Sequence, residues 1–198
     1  MNSRMTTLAA AALLLPGAAA FAQDDGIDDD FGFGALLSGA QEPVPPEEPS
    51  TPSPGVQTQM TGAIQVRFAP DLSSLDFRLV VQNGVGVTVS HLHCGRAGEN
   101  GPIVVPLSQP NEQGMDVSGV LGEGTLTNAE IAASAAQCEE VIGRPVRNIA
   151  SLAAAAVEGL IYANVHTVAN PAGEIRGQLI PGLDDDVGDD GIIGGASY

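Results

Sequence analysis

The chain has 198 residues, with 24 acidic against 7 basic side chains and a formal net charge of −17 at neutral pH. Every basic residue is arginine, and the negative surplus repels polyanions, which excludes nucleic acid and anionic membrane surfaces as partners. A chain of this length suits one domain with tails better than several domains.

Residues 1–22 read as a secretory signal peptide. Arg4 supplies the positive start, LAAAALLLPGAAA the short apolar stretch, and Ala20-Phe21-Ala22 the small-x-small pattern that signal peptidase cleaves. The apolar run is too short to cross a bilayer and no later run is long enough, so no membrane span is expected. No cysteine lies at the cleavage site, so no lipid anchor is expected either. The protein is therefore expected to be exported, periplasmic or extracellular, and soluble. Residues 23–32 read as an acidic disordered lead and 182–198 as an acidic disordered tail. The aspartates there (Asp24, Asp25, Asp28 to Asp30, then Asp184 to Asp186, Asp189 and Asp190) lack the Asp-x-Asp-x-Asp-Gly order of a calcium loop. The folded domain is expected over 33–181.

Within the domain, a first strand fits FGALLSGAQ, ending at Gln41-Glu42. The segment PVPPEEPSTPSPG follows as an extended loop, because its prolines exclude helix and central strand. Period-2 alternation then places Ile64, Val66 and Phe68 on one strand face, and Leu75, Phe77, Leu79 and Val81 on the next. The same period continues through Val87, Val89, His91 and His93, which puts both histidines on an apolar face. GRAGENGP is a turn cluster and IVVPL a short buried strand; 108–124 reads as a polar loop. Thr127 and Glu130 have capping-box spacing and open an Ala-rich helix to about Gln137; a second helix, ASLAAAAVEG, stops at Gly159. IYANVHTVA, turn NPAG and EIRGQLI form a closing hairpin. A tight four-residue turn sets Ala169 opposite Glu174 and His166 opposite Gly177, leaving room beside the imidazole, whereas a bulge would exchange the faces. The expected fold class is all-β, an antiparallel sandwich or barrel with two short inserted helices.

All three histidines lie in two of these segments: His91 and His93 in VTVSHLHCG, and His166 in the closing hairpin. Residues i and i+2 of a strand share a face with Cα atoms roughly 6–7 Å apart, close enough for two rings to meet at one ion. Imidazole suits copper or zinc, and it suits ordinary hydrogen bonding inside a sandwich equally well. Both readings stay open. Tyr162 and Asn164 share the His166 face and are candidates to orient that ring. Glu174 and Arg176 read as a structural cross-strand ion pair. Cys94 and Cys138, the only cysteines, read as a disulfide in an exported protein. The competing thiolate ligand role for Cys94 suffers because Cys94 and His93 face opposite ways on a regular strand.

These segments, in this order, resemble the CHRD (chordin) domain family: LSGAQEPVP, then HLHCGRAGENGPIVVPL, GTLT, and YANVHTVANPAGEIRGQL. The resemblance runs from about Phe33 to Ile180. It implies an immunoglobulin-like or superoxide-dismutase-like β-sandwich and little about activity; the expected role is an exported binding or interaction module, with an extracytoplasmic protein or a metal ion as partner. Animal chordin binds bone morphogenetic proteins outside the cell. This chain lacks chordin's Cys-rich modules, so that activity is not carried over. The His-x-His strand also resembles the copper ligands of Cu/Zn superoxide dismutases, which makes a copper-dependent redox enzyme the alternative. Three histidines are too few for that family's two metal sites, and an acidic surface does not draw a superoxide anion inward. No serine-hydrolase elbow is present, so no catalytic residue is assigned.

Overall fold

The computed structural model of the protein describes residues 31–44 and 53–182. The expected signal peptide, nearly all of the acidic lead, the middle of the Pro-rich loop and the acidic tail beyond 182 lie outside the described residues. The domain is built of antiparallel strands: β1 (Gly32–Ser38), β2 (Thr61–Phe68), β3 (Ser74–Cys94), β4 (Ile103–Pro106), β5 (Met115–Thr127), β6 (Ile161–Thr167), β7 (Ile175–Gln178) and the two-residue β8 (Ile180–Pro181). Two short helices, α1 (Cys138–Ile142) and α2 (Ile149–Val157), lie between β5 and β6. No helix among the described residues is long and apolar enough to cross a membrane.

The strand β3 organises the sheet. Its first half pairs with β2, from Leu75 opposite Phe68 to Gln82 opposite Thr61, and its second half pairs with β6, from Val87 opposite Thr167 to Cys94 opposite Ile161. Since β2 pairs with β1, β1 touches β7 through Ser38 and Arg176, and β7 pairs with β6, the circuit closes on itself like a barrel. Strands β5 and β4 flank the two halves of β3 on its other side. The interior is filled by Phe33, Ile64, Leu75, Leu79, Leu92 and Ile161, and is capped by Ile149 and Leu152 of α2.

The helical insert starts as expected and then departs from the expected single helix. The capping box is present, with the Thr127 and Glu130 side chains each bonded to the other's end of the turn, but it opens only a 3-10 turn over Asn128–Glu130. A second 3-10 turn, Ala133–Gln137, runs into α1. The reason is burial: the Cys138 sulfur is tied to the end of β3, so the chain has to bend towards the sheet rather than continue straight. The α2 helix matches expectation. Asn148 and Ser151 cap its start reciprocally, and Gly159 at φ +68° turns the chain out of it.

Four other expectations are corrected. The first strand stops at Ser38, and Gly39–Gln41 form a 3-10 turn that carries Glu42 into the interior. The polar stretch 108–124 is largely strand β5, an outer strand whose side chains stay mostly exposed, so it carries no hydrophobic alternation to reveal it. The closing hairpin has a longer connection than four residues. The turn bond from Gly173 N–H to Asn170 carbonyl forms, but Thr167 N–H also bonds to that carbonyl, and the first facing pair is Val165 with Ile175. Gly177 therefore faces Ala163 rather than His166. Its missing side chain admits the β1 backbone, because a Cβ there would lie 2.5 Å from the Leu36 carbonyl oxygen.

The fourth correction concerns the histidines. Leu75, Phe77, Leu79, Val81 and Val87 point into the core, and so do Leu92 and Cys94. The inward positions thus change from odd to even numbers along β3. The pairing with β6 slips by one residue between Val87 and Val89, a bulge at Thr88. Beyond it His91 and His93 lie on the face turned away from the apolar core.

Cys94 and Cys138 form a disulfide, with Cα atoms 5.9 Å apart. On the chain-entropy view, closing a loop of this size stabilises the fold by about 4 kcal/mol. Reduction should lower the unfolding free energy by about that amount in urea titrations, and thiol labelling of the unfolded, unreduced protein should find no free cysteine. Gly177→Ala should also destabilise, by about 1–3 kcal/mol, because the added methyl drives β7 off β1.

A candidate metal centre on the outer face of the sheet

The Thr88 bulge creates a second, polar face. The register places His93 opposite Tyr162 and Tyr162 opposite Gln178, His91 opposite Asn164 and Asn164 opposite Arg176, and His166 opposite Val89. Alternate residues Leu92, Ile161, Ala163, Val165 and Ile175 belong to the core on the other side. A row of polar side chains would normally be solvated, yet here Tyr162, Asn164 and Arg176 are almost fully buried and His93 is only 8% exposed. The segment after β1 and the 95–101 loop cover them. Glu42 accepts from the Asn164 amide, and Arg176 reaches the Arg96 and Glu99 carbonyls at 2.7 and 2.9 Å.

The three histidines meet within this covered face. Their ligand-capable nitrogens lie within 4.8 Å of one another, and ring centroids are separated by 5.2 to 5.9 Å. His91 Nδ1 and His166 Nε2 are 3.3 Å apart. Two ligands on a tetrahedral ion with bonds of about 2.0–2.1 Å stand about 3.3 Å from each other, so this pair is already at coordinating separation.

Outer partners fix which nitrogens are available. His93 Nδ1 donates to the Gly101 carbonyl at 2.9 Å, and His166 Nδ1 to the Pro171 carbonyl at 3.0 Å. A proton on Nδ1 leaves the lone pair on Nε2, the arrangement that second partners impose on metal-binding histidines. The His93 Nε2 atom is buried and has no hydrogen-bond partner among the described residues. A buried polar atom left without a partner is costly, and an ion held with His91 and His166 would satisfy it. The residues present therefore fit copper or zinc.

Electrostatics favours the neutral ligands. Burial, reinforced by the neighbouring His166 and His93, pushes the His91 imidazole down to about 4. Burial also takes His93 down to about 4, against the Gly101 bond and with help from His166 and Arg176. His166 is lowered by burial, with the Pro171 bond opposing. All three rings are thus in the neutral form at neutral pH, each keeping one N–H and offering one lone pair, as metal binding requires. Glu42 shifts the other way, to about 7, because burial outweighs Arg176 and the Asn164 bond.

The surrounding residues take different roles from those expected. Tyr162 does not touch His166; its ring stacks on His93 at 5.0 Å with planes 9° apart. Asn164 turns to Glu42 rather than to a histidine. Glu174 is held by Thr58, Thr167 and Asn170 rather than by Arg176, and although burial alone would raise its carboxyl, these bonds bring it below the usual range. Cys94 points into the core in its disulfide and is no ligand. Reading by residue type missed Glu42, Arg176 and the Gly101 and Pro171 carbonyls. Only the alternation of Tyr162, Asn164 and His166 with Arg176 and Gln178 carried a signal, a polar period on strands that are buried on both faces.

The fold and site together define a mostly antiparallel β-domain with an inner apolar core and a covered, histidine-bearing outer face. The CHRD domain model matches residues 33–179, and the chain belongs to that family. No curated protein and no solved structure matches it significantly.

The shifts predict how the metal-free protein responds to acid. A histidine whose folded value lies below the unfolded value of 6.5 contributes stability that is complete above 6.5 and lost as pH falls towards 4. The thermal midpoint should therefore fall more steeply between pH 6.5 and 4 in the wild type than in His91→Gln/His93→Gln. Glu42 has the opposite sign, its contribution being lost as pH rises from 4.5 to 7. The stability difference between Glu42→Gln and the wild type should move in favour of the variant over that interval.

Proposed function

We propose that this protein is an exported CHRD-domain binding module, on an immunoglobulin-like or superoxide-dismutase-like frame, that holds one copper or zinc ion through His91, His93 and His166. The observation that carries the metal reading is the buried, unpartnered His93 Nε2, aimed among the nitrogens of a three-histidine cluster. The hydrogen-bonded reading of the same histidines accounts for His166 and His91, whose nitrogens face each other, but gives that atom no partner. The disulfide supports the exported setting, since such bonds persist in oxidising compartments.

When bound, copper would supply electron transfer, and zinc a fixed positive charge at the site. The chain's own part is to present neutral nitrogens, to hold two of them through backbone carbonyls, and to keep the surrounding face covered. The protein partner of the module would be extracytoplasmic.

Titration of the metal-free protein with zinc or copper(II) should saturate near one equivalent. His93→Ala and His166→Ala should each weaken binding by at least about tenfold while preserving a cooperative melt. Absence of binding by the folded wild type would overturn the metal reading. A superoxide-consumption assay on the copper-loaded protein separates a binding module, which should stay at background, from the alternative redox enzyme.

A further inference from the structure

Arg176 is the largest fully buried side chain among the described residues, and its guanidinium makes an unusual set of contacts. It lies flat over the Tyr162 ring, 3.3 Å from the centroid, and its donors reach the Arg96 and Glu99 carbonyls and, at 3.4 Å, the Asn100 side chain. The opposite face of Tyr162 carries the His93 imidazole, so the tyrosine is sandwiched between guanidinium and histidine. The 95–101 loop that Arg176 grips leads into Gly101, whose carbonyl accepts from His93 Nδ1 and whose N–H donates to the Tyr162 hydroxyl at 3.1 Å. Gly101 has no side chain because a Cβ would overlap the Cys94 carbonyl oxygen at 1.7 Å.

A histidine ring on a strand has two freedoms that matter to a ligand: the plane of the ring, and which of its nitrogens faces the site. The Tyr162 stack constrains the first, and the Gly101 carbonyl chooses the second. Arg176 supports both, by covering the far face of Tyr162 and by fastening the loop that delivers Gly101. We propose that Arg176 is a positioning residue for His93, holding it through Tyr162 and Gly101 in the Nδ1–H form with Nε2 directed among the other histidines. Lysine cannot replace it, since an ammonium keeps the charge but lacks the planar fork that stacks and bridges at once.

The proposal deepens the metal reading, but only its affinity arm rests on that reading. The tautomer of His93, read from its ring ¹⁵N shifts in the metal-free full-length protein at pH 7.5, tests it without metal. The wild type should show Nδ1–H at His93. Arg176→Lys and Tyr162→Leu should each shift His93 towards Nε2–H and weaken zinc binding, measured against a chromophoric chelator, by at least about tenfold. Tyr162→Phe keeps the stacked ring and should stay within about threefold of the wild type. A loss of stability alone would not change the tautomer, so that readout separates positioning from mere support. Should Arg176→Lys fail to fold, Tyr162→Leu decides. An Nε2–H His93 in the wild type, or folded variants with unchanged tautomer and zinc affinity, would overturn the proposal. A wild type that binds no zinc would remove the metal reading instead, leaving the tautomer to judge the positioning.

Discussion

The one-residue slip at Thr88 is the constraint on which the rest of the structure depends. β3 has to serve two neighbours, β2 along its first half and β6 along its second, and it does so by turning over between them. Without the slip, His91 and His93 would point among Leu79, Val81 and Val87, where two imidazoles would be buried in hydrocarbon. With it, Leu92 and Cys94 take the inward positions and the histidines are delivered to a second face. The core and the candidate site are thus two sides of the same strand. A change of register that harmed one would harm the other.

That second face exists as a dry environment only because it is covered, and the cover is held by polar contacts rather than by apolar packing. Arg176 and Gln178 bind carbonyls of the 95–101 loop and the end of α2, Glu42 reaches Asn164, and Thr58 donates to Glu174. Each contact satisfies a backbone or side-chain group that the covering segment would otherwise bury unpaired. The disulfide fastens the same end of β3 from the core side, next to His93. Burial by polar cover explains why the imidazoles lose their protons so readily while staying hydrogen-bonded. Among the described residues His93 Nε2 is the one buried side-chain nitrogen left without a partner, alongside the Asn164 and Gln178 side-chain oxygens on the same face.

Membership of the CHRD family fixes the kind of domain but not its chemistry. The three histidines all lie within the span that matches the family, and the structure brings their segments side by side as β3 and β6. A frame of this kind can hold a metal without catalysing anything. The neutral ligand set and the strongly acidic chain both suit capture of a cation better than capture of an anion.

Much was legible in the sequence because it depended on local rules. Period-2 alternation marked β2 and the first half of β3. The Asn/Pro/Gly turn marked the closing hairpin, Gly159 marked the end of α2, and two cysteines in a chain expected to be exported marked the disulfide. The three histidines were singled out by scarcity, by the i, i+2 spacing of His91 and His93 on one strand, and by their place in the segments that resemble the family. What the sequence did not determine was everything set by an odd number of residues. The Thr88 bulge and the longer hairpin connection each move a strand by a register step, and such a step exchanges faces without altering composition. Strand β5 escaped notice because an exposed strand has no buried side to impose a pattern. The partners of the histidines were decided only in three dimensions. Gly101 and Pro171 act through backbone carbonyls, which every residue carries, and Arg176 acts from a strand that does not itself pair with β3. Side-chain type is written in the sequence, whereas the face it occupies and the backbone atom it meets follow from how the strands are registered.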